Sequence, residues 1–196
     1  MKLAKLLILI LILLIPFSVN AQQVIDFQTR PIGHVQYDLN KKLFVAGWVI
    51  GNGQYYGTSN INILGGLGYR GKDWWLESMI QRQWSEKDRK LLWDSRFQQK
   101  FRKSSLYVEV APFLDRRAVY DMVVFEKLAW RNLNFRLETE NIHKSGRDSL
   151  GVGPGVGWSF GSLGSVKVNG AVIYQFRRQE TDVLRFYAIF NHRFKK

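Results

Sequence analysis

A histidine and a serine stand two residues apart, as His143 and Ser145, in the second half of the chain. Residues two apart on a β-strand project from the same face, so an imidazole and a hydroxyl would lie side by side. An adjacent imidazole can take the proton of a serine hydroxyl and make it a nucleophile. The pair is therefore a candidate for ester hydrolysis, with His143 as the base and Ser145 as the nucleophile. Asp148 is the nearest acid that follows the pair along the chain. In the alternative interpretation, His143 and Ser145 simply begin an exposed polar loop.

The sequence gives little support for a metal site, a phosphate-binding loop or a cofactor site. The three histidines, His34, His143 and His192, are far apart and lack metal-ligand spacing. The glycines of Gly151–Gly157 are not followed by the lysine of a phosphate-binding loop. We therefore expect neither a metal nor a cofactor.

The segments that position these residues alternate between apolar and polar side chains. In Trp74–Trp84, the parity of Trp74, Leu76 and Ile80 is largely apolar, whereas the other parity carries Glu77 and Gln81. Such a period of two predicts a β-strand with one apolar and one polar face. The same alternation recurs in several further segments, among them Leu91–Arg102, Leu133–His143, Gly151–Phe160, Val166–Arg177 and Leu184–Phe194. The chain is therefore predicted to be all-β.

The first residues have the order of a secretory signal peptide. Lys2 and Lys5 precede the apolar run Leu6–Ile15, and small residues end at Ala21. The run is too short to span a bilayer, so we expect residues 1–21 to be cleaved and residues 22–196 to form one domain. The sequence contains no cysteine, so an exported domain must be stabilised without disulfides.

The mature chain is strongly basic. It keeps 27 of the 29 Lys and Arg residues, since Lys2 and Lys5 are removed, against 16 Asp and Glu, a net charge of +11. These cations are spread over every segment rather than gathered in one stripe, which argues against nucleic-acid binding. A basic surface of this kind fits contact with anionic lipid headgroups.

Alternation alone does not say which face is outside. A soluble lipocalin-like barrel in the periplasm would turn its apolar face inward, whereas a membrane barrel turns it outward. Trp74 and Trp84 lie ten residues apart on the apolar parity. That separation projects to about 25 Å for a tilted strand, the height of an outer-membrane apolar band with aromatic girdles. The spacing favours the membrane.

The mature chain resembles bacterial outer-membrane barrels in this pattern, and its aromatic last strand ending at Phe194 resembles the signal read by their assembly machinery. The resemblance implies a closed antiparallel up-and-down transmembrane β-barrel in the outer membrane of a Gram-negative bacterium, with lipids and that machinery as partners. We expect about 12 strands, with Gln22–Gln28 as the first, or about 10 without it. The irregular segment Val119–Trp130, where Asp121, Glu126 and Lys127 do not share a parity, predicts a β-bulge.

This orientation assigns the polar and aromatic residues to two places. The side chains expected to line the lumen are Glu77, Asp94, Arg96, Lys100, Arg102, Glu109, Arg136, Glu138, Glu140, Lys167 and Arg177. The side chains expected in the membrane girdle are Trp74, Trp84, Trp93, Trp158 and Phe194. Long charged side chains would pair inside and fill much of the lumen. The expected role is structural, that of a narrow pore, or that of a surface-binding platform.

The His-x-Ser arrangement is similar to that of outer-membrane phospholipase A and the outer-membrane lipid A deacylase, whose catalytic pair lies on the outer barrel surface. The resemblance implies lipid ester hydrolysis by His143 and Ser145 as the alternative function. Both families place an asparagine directly after the serine, whereas Gly146 follows here.

Overall fold

The chain folds as a closed β-barrel in a computed structural model that describes residues 25–54, 59–86, 88–146, 148–178 and 180–195. The predicted signal peptide lies outside these residues. The described part contains no helix long and apolar enough to cross a membrane. Its eleven strands are β1 (Asp26–Asp38), β2 (Leu43–Gln54), β3 (Asn60–Arg70), β4 (Trp74–Ser85), β5 (Arg89–Lys100), β6 (Ser104–Pro112), β7 (Ala118–Trp130), β8 (Leu133–Lys144), β9 (Ser149–Leu163), β10 (Val166–Arg178) and β11 (Val183–Phe194).

Each strand pairs antiparallel with the next along the chain, and a parallel pairing of β1 with β11 closes the barrel. The prediction of an all-β, closed up-and-down barrel is confirmed. The strand number in the described residues is eleven, between the expected twelve and ten. Bacterial single-chain outer-membrane barrels have even strand numbers, so this closure departs from their pattern.

The difference in strand number arises at β1. The expected first strand, Gln22–Gln28, is not separate, because Asp26–Gln28 form the start of β1 and Gln22–Val24 lie outside the described residues. Pro31 lacks an N–H, yet it stays in register opposite Ala188 of β11. The proline removes one possible ladder bond without ending the strand. One continuous strand therefore replaces the two that were expected.

The barrel has two rims that differ in the length of their connections. The connections β1–β2, β3–β4, β5–β6, β7–β8 and β9–β10 meet at one rim, which we call the short-turn rim. The connections β2–β3, β4–β5, β6–β7, β8–β9 and β10–β11 meet at the other, the long-loop rim. Because β1 and β11 are parallel, β1 starts at the long-loop rim and β11 ends at the short-turn rim.

The two faces of the barrel wall differ sharply in polarity. Large apolar side chains such as Ile63, Leu67 and Ile80 are about half exposed on the outside. The inside holds buried charged side chains together with two small apolar clusters, one around Phe44 and one around Ile173. This is the reverse of the arrangement that a soluble barrel with an apolar interior would have.

The glycines of β9 allow a close approach of β10. Gly155, Gly153 and Gly151 lie in register with Arg136, Glu138 and Glu140 of β8, respectively. A Cβ on Gly153, however, would overlap the backbone carbonyl oxygen of Tyr174 in β10. A side chain at Gly153 is thus excluded by the backbone of β10 and not by a charged side chain of β8.

Candidate functional site

The largest group of buried charges joins strands that are not neighbours in the barrel wall. Glu138 of β8 accepts hydrogen bonds from Arg185 Nη1 at 2.9 Å and from the Tyr187 hydroxyl at 2.7 Å, both on β11. Arg136 Nη2 donates to the other carboxylate oxygen of Glu138 at 2.9 Å. Glu138 is fully buried. The contacts with Arg185 and Tyr187 therefore cross the lumen and connect β8 to β11.

Glu140 of β8 is the second acidic centre of this group. Its carboxylate contacts Arg30 Nη2 at 2.8 Å, Arg177 Nη2 at 2.7 Å and Arg185 Nη2 at 2.5 Å. The Tyr120 hydroxyl donates to it at 3.0 Å. We call this group the Arg185 network: Arg30, Arg136, Arg177, Arg185, Glu126, Glu138 and Glu140.

A second group, which we call the Arg96 network, is centred on Arg96 of β5. Its guanidinium binds Asp94 in a bidentate manner at 2.7 and 3.1 Å and contacts Glu109 at 3.3 Å. The Tyr107 hydroxyl donates to Glu109 at 2.6 Å. Arg96 also lies 4.4 Å from the ring centroid of Trp48. Pairing of this kind is what makes a buried charge tolerable.

Trp48 connects the Arg96 network to β4 and β1. Its indole N–H donates to Glu77 Oε2 at 2.8 Å, and Gln36 donates to Glu77 Oε1 at 3.2 Å. His34 stacks on the Trp48 ring with 3.8 Å between the ring centroids. The imidazole thus belongs to a packed polar interior.

The interior still encloses a cavity of about 1330 Å³, bordered by residues of both rims. Two of the predicted lumen residues, Lys100 and Lys167, border it at the short-turn rim and are exposed, and Arg177 is half-buried. Arg102 lies instead in the exposed turn after β5, because the strand ends at Lys100. The remaining predicted lumen residues are buried inside, namely Glu77, Asp94, Arg96, Glu109, Arg136, Glu138 and Glu140.

The predicted girdle residues share the outward parity of their strands but lie at different heights, and Trp74 and Trp158 also border the cavity. Trp74 and Trp84 occupy opposite ends of β4, as expected. Trp158 covers Gly170 near the short-turn rim, the rim at which Phe194 ends β11. Trp93 pairs with Ile80 near mid-height and donates its indole N–H to Ser78 Oγ at 2.9 Å. Its position is in the apolar band rather than at a rim.

His143 lies on the outward face at the long-loop rim, next to an acid that its own segment did not supply. Its Nε2 is 2.6 Å from Asp121 Oδ2 of β7, and Asn141 donates to Asp121 Oδ1 at 2.8 Å. Its Nδ1 is 3.7 Å from Asp148 Oδ1. Ser145 is exposed in the turn after β8, and among the described residues no hydrogen bond joins it to the His143 ring.

Two loops of the long-loop rim are tied together by Arg116. It contacts Asp88 of the β4–β5 connection at 3.1 Å and Asp115 of its own connection at 3.1 Å. Hydrogen bonds from the guanidinium lower the pKa of both carboxyl groups, so each carboxyl group becomes protonated at a lower pH than it would without Arg116. This exposed bridge connects the β4–β5 and β6–β7 connections on one side of the cavity.

The described residues contain no group of three or more acidic or histidine side chains placed to hold a metal ion. Comparison with protein-family models, with curated proteins and with solved structures finds no match to this chain.

Proposed function

We propose that this chain is a bacterial outer-membrane β-barrel with a passive or structural role, whose lumen is narrowed by the Arg185 and Arg96 networks. The observation that carries the proposal is the segregation of side chains. Half-exposed Ile63, Leu67 and Ile80 cover the outside, whereas Arg96 and Arg185 are almost fully buried inside. Lipid is the solvent that suits an apolar exterior, and transmembrane barrels have polar interiors.

The narrowed lumen follows from the same contacts. Arg30 and Glu140 belong to β1 and β8, and Arg185 and Glu138 belong to β11 and β8, so their ion pairs span the interior. Charged side chains in such positions control which small ions pass. The barrel therefore passes at most small solutes.

Membrane location and orientation can be tested together, because the chain has no cysteine and a single introduced thiol is unambiguous. Lys41→Cys places the thiol in the exposed turn between β1 and β2, and Arg117→Cys places it in the exposed connection between β6 and β7. Outer-membrane barrels turn their longer loops to the cell exterior and their short turns to the periplasm. In intact cells, a membrane-impermeant maleimide should therefore label Arg117→Cys and spare Lys41→Cys. After the outer membrane is disrupted, both should be labelled.

The matched pair of variants serves as its own control, since each replaces one exposed cation by cysteine. The protein should sediment with the outer membrane and dissolve only in detergent. Recovery of both variants in a detergent-free periplasmic extract, with equal labelling, would show that the proposal is wrong.

Lipid ester hydrolysis is the second candidate function, and one observation favours it. Asp121 supplies an acid within hydrogen-bond distance of His143, on the outward face where lipid would lie. A carboxylate in this place can orient an imidazole that serves as a general base. In the present geometry the other ring nitrogen faces Asp148, so the ring must turn toward Ser145 before it can act.

If this second function holds, Ser145→Ala abolishes phospholipid ester hydrolysis by the detergent-solubilised barrel. His143→Ala should lower the rate by about 10²- to 10⁴-fold, the usual contribution of a general base. Asp121→Asn should lower it as well, because the imidazole loses its orienting charge. The measurement is release of fatty acid from mixed micelles.

Ser162→Ala is the matched control, since Ser162 is exposed on β9 toward the opposite rim. Its rate should equal that of the wild type. Equal background rates in the wild type and in Ser145→Ala would exclude the hydrolase.

A further inference from the structure

On the side formed by β2, β3 and β4, the cavity wall near the long-loop rim consists largely of carboxamide side chains. They project inward from three adjacent strands, β2, β3 and β4, and border the cavity. We call this surface the amide wall: Asn52, Gln54, Asn60, Asn62, Gln81 and Gln83. Arg30 of the Arg185 network donates a hydrogen bond to Asn52, whereas the other five amides form no hydrogen bond with the charged groups of that network in the described residues.

Hydrogen bonds order part of the amide wall into a ladder. Asn52 Nδ2 and Asn62 Nδ2 donate to Asn60 Oδ1 at 2.8 and 3.1 Å. Gln81 Nε2 donates to Asn62 Oδ1 at 3.1 Å. The side chains that end the ladder are thus held in place by their neighbours.

The last side chain of the ladder, Gln81, has an oxygen that accepts no hydrogen bond from the described residues. Gln81 is 8% exposed, and its Oε1 has no hydrogen-bond partner among the described residues. A buried polar atom left unpaired costs free energy, so such atoms are normally satisfied by a protein group, water or a ligand. Gln81 borders the cavity, but its Oε1 is buried in this geometry, so a ligand hydroxyl reaches the acceptor after the side chain turns toward the cavity.

The charged groups around the amide wall already neutralise one another. Arg30 pairs with Glu140, Lys90 lies 3.8 Å from Asp88, and Arg177 pairs with both Glu140 and Glu180. The wall therefore offers a ligand donors and acceptors rather than a net charge. Phe113, which also borders the cavity at this rim, adds an aromatic face.

We propose that the amide wall is a binding site for a neutral saccharide. Each carboxamide carries two donors and an acceptor, which matches hydroxyl groups that both donate and accept. A row of amides spaced along adjacent strands fits a row of sugar hydroxyls, and Gln81 Oε1 accepts from one of them. The inference needs only the closed barrel and not its membrane location.

The test is isothermal titration calorimetry of the purified full-length barrel in detergent, with maltohexaose as the probe. The wild type should bind it with measurable heat. Gln81→Met keeps the side-chain volume and removes the acceptor, so binding should weaken about tenfold, or about 1.4 kcal/mol. Gln83→Met, at a half-buried position of the wall without a hydrogen bond of its own in the described chain, provides a second variant.

Gln99→Met is the matched control, since Gln99 is at the far end of β5 and does not border the cavity. It should bind like the wild type. The inference would be overturned if the folded wild type did not bind maltohexaose. It would also be overturned if Gln81→Met and Gln83→Met both bound it with the affinity of the wild type. Tighter binding of an anionic oligogalacturonate of the same length would also contradict it, because the wall carries no net charge. None of these results bears on the labelling experiment that tests membrane location.

Discussion

Replacing Glu140 by leucine lowers the free energy of unfolding of the barrel by about 3–5 kcal/mol, the cost of removing one partner from a buried charge cluster. Glu140 is 5% exposed and is the shared partner of Arg30, Arg177 and Arg185. Arg185 keeps Glu138 and Arg177 keeps Glu180, but Arg30 has no other ion pair in the described part of the chain. Its buried guanidinium would lose its countercharge. Urea unfolding in lipid vesicles, followed by tryptophan fluorescence, measures the loss.

Glu180→Leu is the control for this prediction. Glu180 pairs with the same Arg177 at 3.3 Å, but at the rim, where its side chain is 41% exposed. An exposed ion pair contributes only about 0–1 kcal/mol, so this variant should unfold much like the wild type. The double variant Arg30→Leu with Glu140→Leu should recover part of the loss, because no unpaired guanidinium remains. If Glu140→Leu costs no more than Glu180→Leu, the network does not stabilise the barrel.

The side-chain period predicted the wall of the barrel, because it is a local property of each strand. Arg136, Glu138 and Glu140 alternate with apolar residues, so the polar face of β8 can be found without knowing its neighbours. The period cannot tell which rows meet across the lumen. The contact between Arg30 and Glu140 depends on how the sheet closes, and closure depends on the number and stagger of the strands.

Strand ends were harder to predict than strand faces. Arg102 has the parity of the lumen residues Arg96 and Lys100, yet the chain has already left β5 at its position. At the other end of the chain, Gln22–Gln28 is predicted as a separate first strand, whereas Asp26–Gln28 begin β1, which continues through Pro31. Both errors have the same cause. The alternation of polar and apolar residues can continue past the end of a strand, so it does not indicate where the strand stops.

The acid beside His143, Asp121, can be recognised in the sequence as a polar residue on an apolar strand face. Asp121 interrupts the apolar parity of Val119–Trp130, which predicted a bulge in that segment. A register shift is present in this segment, between Leu128 and Trp130, which confirms the predicted irregularity but does not place it at Asp121. Asp121 itself stays in register opposite Asn141 and faces outward at a rim, bound to Asn141 and His143. A polar residue on the apolar parity therefore marked a rim contact.

Ile80→Arg distinguishes a bilayer from water as the solvent of the outer face. Ile80 is outward, 50% exposed and opposite Gly65 and Trp93 near mid-height. In lipid vesicles, an arginine at mid-depth should lower the free energy of unfolding by about 2–4 kcal/mol. In water, an exposed substitution of this kind changes the free energy of unfolding by no more than about 0.5 kcal/mol.

The control is Leu163→Arg, at a 78% exposed position near the short-turn rim. It should lower the free energy of unfolding in vesicles by about 0–1 kcal/mol, because the cation reaches the interface. Equal and small effects of both variants would mean that water, not lipid, covers the middle of the barrel.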